Sequence, residues 1–274
     1  MISKVYASDE SAKKIIRYLE LKLQSPSPSL RASMTSPETK GSSRVALGLT
    51  LLHVCLGHTL LLLYSTELFK VMIAFSDADN FVSARSASIV IGVFNLVALF
   101  PAAFFLDQLG RRTLMVCGCL VITLCHALTG LFALSSNDWG VTLFMAFFAL
   151  AFQLAFGPVS WIYCREIATD AVFRACHNLM WAATLVLALL GYPLILGLKP
   201  QGLFWVLAVL ALVGAYLTYK HFMETINLTE EQKRTVYAPS LGMFDNRLSL
   251  LAPQAGEEKK KSGFVTLNLD ESIK

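Results

Sequence analysis

The sequence predicts an all-α membrane protein with six transmembrane helices. Hydrophobic residues make up 55% of the 274-residue chain, charged residues only 15%, and the mean hydropathy is +0.58, which departs strongly from a soluble globular domain. The apolar residues are also grouped into long runs. A short charged turn, Asp107-Gln-Leu-Gly-Arg-Arg112, separates two of these runs. It is too short for a domain and fits a tight loop at a membrane surface.

Six apolar runs are long enough to cross a hydrocarbon core of about 30 Å, which takes about 20 helical residues. In chain order they cover residues 45–66, 86–106, 113–134, 141–164, 178–198 and 203–222. We interpret all six as helices, because a spanning segment must satisfy its backbone hydrogen bonds internally and barrel strands would be shorter and alternating. Gly157-Pro158 interrupts the fourth run, since proline lacks a backbone donor and clashes with the preceding turn.

The basic residues predict the orientation. With both termini cytoplasmic, the two ends and the intervening inner loops hold nearly all of the 23 Lys and Arg, and only Lys70, Arg85 and Lys199 lie outside. The two tails supply most of this excess. We therefore expect Lys40 and Tyr237 to lie on the cytoplasmic side and Asp77 on the outer side. The expected location of the protein is the plasma membrane rather than an internal membrane.

The ends of the chain differ from its centre. Residues 1–24 have the spacing of a short amphipathic helix on the cytoplasmic side, and residues 25–43 are rich in Ser and Pro, which predicts a flexible linker. Residues 44–222 form the predicted six-helix bundle. Residues 223–274 are expected to be a cytoplasmic tail that is mostly disordered.

Four blocks resemble one family, the sugar porters of the major facilitator superfamily, which include the facilitative hexose transporters. Residues 52–69 (LHVCLGHTLLLLYSTELF) resemble its QQxxGxNxxxYYSxxIF helix, and residues 105–114 (FLDQLGRRTL) its D/E-x-x-GRR loop. Residues 156–167 (FGPVSWIYCREI) are similar to its GPxPWxxxxE run, and residues 222–232 (FMETINLTEEQ) to its PETKGxxxEE ending. The resemblance implies the C-terminal six-helix half of a major facilitator fold.

The resemblance also implies a function, namely facilitative transmembrane transport of a hexose or polyol. The implied partners are the lipid bilayer, a small neutral sugar or polyol, and a second copy or an N-terminal half-transporter. Two alternatives stay open: a non-transporting or regulatory half, and a truncated product without activity.

Polar side chains within the apolar runs either bond across helices or line a wet cavity. At the break in the fourth run, an indole offers an apolar face to a sugar ring and a carboxamide both donates and accepts. The alternative is that Trp161 is an interfacial aromatic and Gln153 a packing residue. With the resemblance, which aligns most of them with sugar-contacting positions, the expected substrate-binding residues are His53, Thr59, Tyr64, Asn95, Gln153, Trp161, Trp181 and Thr184.

Charged residues at the two inner loops form the second candidate site. They can lock loops to helix ends while a glycine supplies a tight backbone, as a gate in alternating access would require. The alternative is that these charges only fix topology. The expected cytoplasmic gate consists of Asp107, Gly110, Arg111, Arg112, Glu166 and Arg174.

Catalysis is not expected. The chain has no phosphate-cradling loop and no acid pair or triad that would support an enzyme. The six cysteines lack paired metal-ligand spacing, and we expect them to be small buried hydrophobic residues. We therefore expect no cofactor, no metal and no nucleic-acid partner.

Overall fold

The computed structural model describes residues 28–74 and 84–238, which are helical and contain no strand. The helices in chain order are α1 (Leu30–Thr35), α2 (Pro37–Cys55), α3 (His58–Ala74), α4 (Ala84–Leu109), α5 (Arg111–Leu134), α6 (Asp138–Ala151), α7 (Gly157–Ile167), α8 (Asp170–His221) and α9 (Glu230–Thr235). A π-helical turn, Phe152–Phe156, joins α6 to α7. The prediction of an all-α membrane fold is confirmed.

Five helical stretches in the described part are long and apolar enough to cross a membrane: Pro37–Val71, Ala84–Ala102, Arg111–Leu134, Asp138–Ile167 and Asp170–His221. The predicted fifth and sixth spans both lie in α8, which has 52 residues. A straight helix of that length would measure about 78 Å, well over twice the hydrocarbon core. Lys199 has φ 56° and ψ 156°, so it divides α8 into two arms, residues 170–198 and 200–221.

The start of the described chain differs from the flexible linker that its composition predicts. Ser29 caps α1, accepting a hydrogen bond from the Ala32 amide at 3.3 Å, and α2 begins at Pro37. The Ser43 hydroxyl lies within hydrogen-bond distance of the Ser33 and Thr39 carbonyls, at 3.1 and 2.8 Å. Because nearby carbonyls satisfy these short hydroxyls, serine-rich sequence is buried here at little cost. Residues 1–27, including the predicted amphipathic segment, lie outside the described residues.

The first predicted span is two helices rather than one. α2 ends at Cys55 and α3 begins at His58. Gly57 between them has φ +82°, a conformation that residues with a Cβ rarely adopt. The Leu61 amide resumes the helical pattern by donating to the Gly57 carbonyl at 2.9 Å. The break therefore redirects the chain in the apolar interior without ending the span.

The predicted interruption near Gly157-Pro158 takes the form of the π-helical turn. Pro158 lies in the first turn of α7, where its missing amide donor is tolerated. The chain thus passes the proline without leaving the helix, and π turns of this kind are frequent at functional sites. Phe152 and Phe156 of the turn are fully buried in the core, together with Phe148 of α6.

Residues 223–238 pack against one end of the bundle, whereas the tail was expected to be mostly disordered. α9 has a capping box in which Thr229 and Gln232 bond reciprocally. A Cβ on Gly41 would lie 2.6 Å from the Tyr237 carbonyl oxygen, so the start of α2 and the segment after α9 touch. Both described ends therefore lie at the same membrane end. The tail beyond residue 238 is outside the described residues.

Candidate functional site

A cavity of about 410 Å³ lies between α2, α3, α4, the π-helical turn, α7 and the first arm of α8. Six of the eight residues that the sequence analysis assigned to substrate binding line it: His53, Thr59, Gln153, Trp161, Trp181 and Thr184. Leucine, phenylalanine, methionine, glycine and proline side chains complete the wall, along with His58. None of the lining residues carries a carboxylate, an ammonium or a guanidinium group.

The other two expected binding residues lie behind this wall. Nδ2 of Asn95 is 3.3 Å from Nε2 of His58, so Asn95 supports a lining residue from α4. The Tyr64 hydroxyl donates to the Ala188 carbonyl, and its ring lies against Gly191. The structure therefore places Tyr64 in the contact between α3 and α8 and not at the cavity, because its hydroxyl bonds to the α8 backbone.

The hydrogen bond between His53 and Ser160 fixes which nitrogen of the His53 ring carries the hydrogen. The Ser160 hydroxyl donates to the Gly157 carbonyl at 2.8 Å, which uses its one hydrogen. Ser160 must then accept from Nδ1 of His53, which lies 2.9 Å away. This leaves Nε2 of His53 unprotonated, as an acceptor for a hydroxyl group.

Aromatic rings surround this acceptor. The His53 ring centroid is 5.1 Å from that of Phe152 and 5.7 Å from that of Trp161. Trp161 is held edge-on by Phe173 at 6.0 Å. Such a wall combines a polar acceptor with flat apolar faces, which is the arrangement that suits the CH surface of a sugar ring.

Gln153 and Thr184 supply the remaining polar groups. A Cβ on Gly157 would lie 2.6 Å from Oε1 of Gln153, so the absence of a side chain at Gly157 gives the carboxamide its space. Oγ1 of Thr184 and Oδ1 of Asn95 are buried and have no hydrogen-bond partner among the described residues. Buried polar atoms are normally paired, so both oxygens keep an unused capacity to accept a hydrogen bond.

The expected set of binding residues left out His58 and Phe152, which line the cavity, and Ser160, which bonds to a lining residue. The His58 ring stacks on Phe152 with centroids 4.1 Å apart and an interplanar angle of 7°. His58 carried a signal, because an ionisable side chain within an apolar run is rare. Phe152 carried none, being one of many phenylalanines in its run, and the role of Ser160 depends on a partner 107 positions away.

The second candidate site lies at the membrane end where α5 begins and α7 ends. Glu166 forms ion pairs with Arg111 and Lys233, each at 3.1 Å. All three side chains are at most 14% exposed, and the Thr225 hydroxyl donates to the second Glu166 oxygen at 2.6 Å. Glu166 therefore joins α5, α7 and the segment that follows α8.

Glu224 is the residue that the gate prediction lacked. Its carboxylate accepts from the backbone amides of Arg111 and Arg112 at 2.8 and 3.0 Å, at the N-terminus of α5, where a negative charge is favoured. Gly110, next to them, has φ +79°, and a Cβ there would lie 2.7 Å from a Glu224 oxygen. The sequence signal was the resemblance of residues 222–232 to the family's ending, in which Glu224 matches the glutamate.

The side chains of Arg112 and Arg174, also expected in the gate, form no ion pair with either glutamate of this site among the described residues. Nη2 of Arg112 donates to the Tyr219 carbonyl at 2.6 Å, and its guanidinium lies over the Tyr219 ring. Arg174 is exposed and makes no ion pair with a described residue, so the expected contact between Arg174 and the cluster does not form. The backbone of Asp107 lies near the end of α4.

A tyrosine pair holds the last described segment to α7. The Tyr163 hydroxyl donates to the Met223 carbonyl at 2.8 Å, so it accepts from the Tyr237 hydroxyl at 2.5 Å. The Met223 amide donates to the Tyr237 oxygen at 2.9 Å. Burial raises the pKa of Tyr237, against the opposing effects of these hydrogen bonds and of the nearby Arg112 charge. The neutral phenol is therefore the form that the folded chain retains.

Curated proteins are similar to this chain over much of its length. A curated facilitated trehalose transporter, the Tret1-2 homolog of Drosophila sechellia, is 23% identical over 79% of this chain and 49% of its own length. The facilitated trehalose transporter Tret1 of Bombyx mori is 26% identical over 62% of this chain and 35% of its own. The chain thus spans about half or less of the length of these curated relatives.

Solved structures share the fold. The proton:xylose symporter XylE bound to 6-bromo-6-deoxy-D-glucose superposes with a TM-score of 0.64 at 19% identity, over 84% of this chain and 50% of that one. An inward open conformation of XylE from E. coli gives a TM-score of 0.60 at 19% identity, over 86% and 48%. The model of the family described as sugar (and other) transporter matches residues 2–237. The chain is therefore a member of the sugar (and other) transporter family.

Proposed function

We propose that this chain forms one wall of a transmembrane pathway for a small neutral sugar or polyol. The observation that carries the proposal is the open cavity that His53, Gln153, Trp161 and Thr184 line. Its volume of about 410 Å³ is within the range of small-molecule sites. Family membership and the trehalose transporters among the relatives support the same class of substrate.

The chemistry of the wall favours an uncharged ligand. Nε2 of His53 accepts, the Gln153 carboxamide both donates and accepts, and the Trp161 ring offers an apolar face. A charged substrate would leave water without an opposite charge to compensate for its lost hydration. A polyhydroxylated ring satisfies these groups with hydroxyls at its edge and CH groups on its face.

We propose that the cluster around Glu166 acts as the cytoplasmic gate. It joins the α5 N-terminus, the end of α7 and the segment after α8 through Arg111 and Lys233. Glu224 adds a second, independent contact to the α5 amides. Rocking of helix bundles in alternating access requires contacts at one membrane end that close in one state and open in the other, and a few ion pairs with limited exposure meet that need.

The partner we propose is a second six-helix bundle, either an N-terminal half or a second copy. Alternating access in this superfamily moves two bundles about a central site, and the described helices supply one. Exposed Leu62 and Leu63 border the cavity, so the polar groups deeper in the wall would otherwise face lipid. We also propose that the Glu166 end faces the cytoplasm and that the membrane is the plasma membrane.

Ligand binding and flux test this function separately. The purified chain in liposomes is titrated with glucose, xylose and trehalose while tryptophan fluorescence is followed, and uptake of the radiolabelled sugars is then measured. We expect saturable binding that Trp161→Ala abolishes, while Trp139→Ala, which removes an exposed tryptophan away from the cavity, leaves it intact. Flux is expected only when a second bundle is present.

Two results would contradict the proposal. Absence of saturable binding for all three sugars, in protein shown to be folded, would remove the sugar pathway and favour a non-transporting half. Saturable uptake by chains shown to be monomeric would instead remove the requirement for a second bundle.

A further inference from the structure

His126 is a fully buried histidine on α5 that belongs to neither candidate site. Its Nε2 lies 3.1 Å from the Leu56 carbonyl oxygen. A carbonyl only accepts, so Nε2 carries the ring hydrogen. Nδ1 is then unprotonated and is buried without a hydrogen-bond partner among the described residues. The ring therefore makes one directed hydrogen bond, and that bond reaches the break between α2 and α3.

Leu56 lies where the regular helical pattern stops. α2 ends one residue before it, and Gly57 after it has φ +82°. The Gly57 amide turns back to the Val54 carbonyl at 3.2 Å. A backbone carbonyl at such a break, in an apolar interior, needs a donor from elsewhere because no bulk water is present. The imidazole of His126 supplies that donor to Leu56.

The histidine and the break are both held by neighbouring helices. The His126 ring centroid is 4.4 Å from that of Phe148 on α6 and 5.9 Å from that of Phe204 on α8. On the break, a Cβ added to Gly57 would lie 2.9 Å from the methyl groups of Leu207. The ring is thus fixed in orientation, and the backbone it bonds to is packed against α8.

We propose that His126 is a positioning residue for α3: its hydrogen bond to the Leu56 carbonyl sets the direction in which α3 leaves the break. The first turn of α3 carries His58 and Thr59, which line the cavity. A change in the direction of α3 would therefore move part of the cavity wall. The proposal concerns the geometry of α3 and does not depend on the transport function proposed above.

A matched pair of substitutions separates the hydrogen bond from the bulk of the side chain. The amide nitrogen of glutamine can occupy the place of the histidine Nε2, whereas that of asparagine corresponds to Nδ1 and is too short to reach Leu56. Spin labels on ketone-bearing amino acids at Lys70 of α3 and Leu131 of α5, both exposed, leave the six native cysteines in place. Double electron–electron resonance then reports the orientation of α3 relative to α5.

We expect His126→Asn to broaden the distance distribution and to raise the population of a second α3 orientation about fivefold, the effect of losing one hydrogen bond. His126→Gln should retain the narrow distribution. Thr129→Val, which removes a buried hydroxyl bonded within α5, is the control for general loosening and should also stay narrow. If His126→Asn is not recovered folded, His126→Phe keeps an aromatic ring without a donor and should broaden the distribution equally. A narrow distribution in the donor-less variants, or equal broadening in His126→Gln or Thr129→Val, would overturn the proposal.

Discussion

Gly110 is the residue at which the loop between α4 and α5 meets the carboxylate of Glu224. Two observations disfavour any residue with a side chain at this position. The φ angle is +79°, and an added Cβ would lie 2.7 Å from a Glu224 oxygen. The resemblance marked this glycine through the GRR triplet. The structure adds the physical reason, which is the close approach of the acid to the α5 amides.

We expect Gly110→Ala to destabilise the folded chain by about 1–3 kcal/mol, the usual cost of holding a residue with a Cβ in this conformation. Thermal unfolding in detergent measures the change. Gly48→Ala is the matched control, because a Cβ there meets nothing within 4 Å and alanine is the better helix former. Equal melting temperatures for Gly110→Ala and the native chain would show that the loop relaxes freely.

Glu166→Gln removes the charge that Arg111 and Lys233 share. We expect the free energy that holds α9 to the bundle to fall by at least about 2 kcal/mol, because both cations are mostly buried and their hydrogen bonds to the acid are charge-assisted. Limited trypsin digestion at Lys233 and Arg234 should become faster. Glu67→Gln, which breaks the exposed pair with Lys70, should leave the digestion rate unchanged; equal effects of the two substitutions would contradict the assigned role of Glu166.

Tyr237 makes the stability of the packed segment at residues 223–238 depend on pH. Because burial raises its folded pKa above the usual value near 10, its contribution to stability is complete below about pH 10 and is lost as the pH rises through the folded value. The stability advantage of the native chain over Tyr237→Phe should therefore be constant from pH 7 to about pH 10 and shrink above it. Melting temperatures measured from pH 7 to above about pH 10 test the sign, with Tyr192→Phe, at an exposed position, as the control. An advantage that persists unchanged at the highest pH would refute it.

At the scale of elements, the breaks in the helices decide where functional side chains lie. Gly57 divides the first span beside His58 and Thr59, and the π-helical turn presents Gln153 before Trp161. Lys199 divides α8 and lets its two arms cross the membrane separately. The break at Lys199 falls between the fifth and sixth apolar runs, so hydropathy shows it, whereas the other two breaks lie inside a run and hydropathy does not show them. A proline accompanies two of the three, Pro158 at the π-helical turn and Pro200 after Lys199, while the break at Gly57 depends on an unusual backbone angle alone.

Lys199→Gly should stabilise the bend in α8. A residue with a Cβ at φ 56° and ψ 156° occupies a region that is favourable essentially only for glycine, at a cost of about 1–3 kcal/mol. The melting temperature should therefore rise. The control is Lys220→Gly near the end of the second arm, where glycine gives up helix propensity and should lower the melting temperature. A fall for Lys199→Gly as well would indicate that the Lys199 side chain contributes more than its backbone costs.

At the scale of the whole molecule, the charge asymmetry predicts which end of the bundle faces the cytoplasm. Lys40 belongs to the end where Gly41 touches Tyr237, and the structure thus groups Lys40 and Tyr237, as the predicted topology requires. Asp77 lies outside the described residues.

Single-cysteine variants in a cysteine-depleted chain test that topology. An impermeant maleimide applied to intact cells should label Asp77→Cys and should label Lys40→Cys only after permeabilisation. Denaturing the membranes before labelling provides the control for reactivity. Labelling of Lys40→Cys but not of Asp77→Cys in intact cells would require the opposite orientation.

The sequence by itself determined the all-α membrane fold, the approximate positions of the spans and the types of residue at each candidate site. These follow from hydropathy and charge, which are local properties of the chain. The tertiary structure decided which polar groups meet: Nδ1 of His53 with Ser160, the Arg111 amide with Glu224 across 113 positions, and Tyr64 with the α8 backbone instead of the cavity. Such pairings depend on the rotation and register of each helix against its neighbours, which side-chain packing fixes only when the whole bundle is assembled.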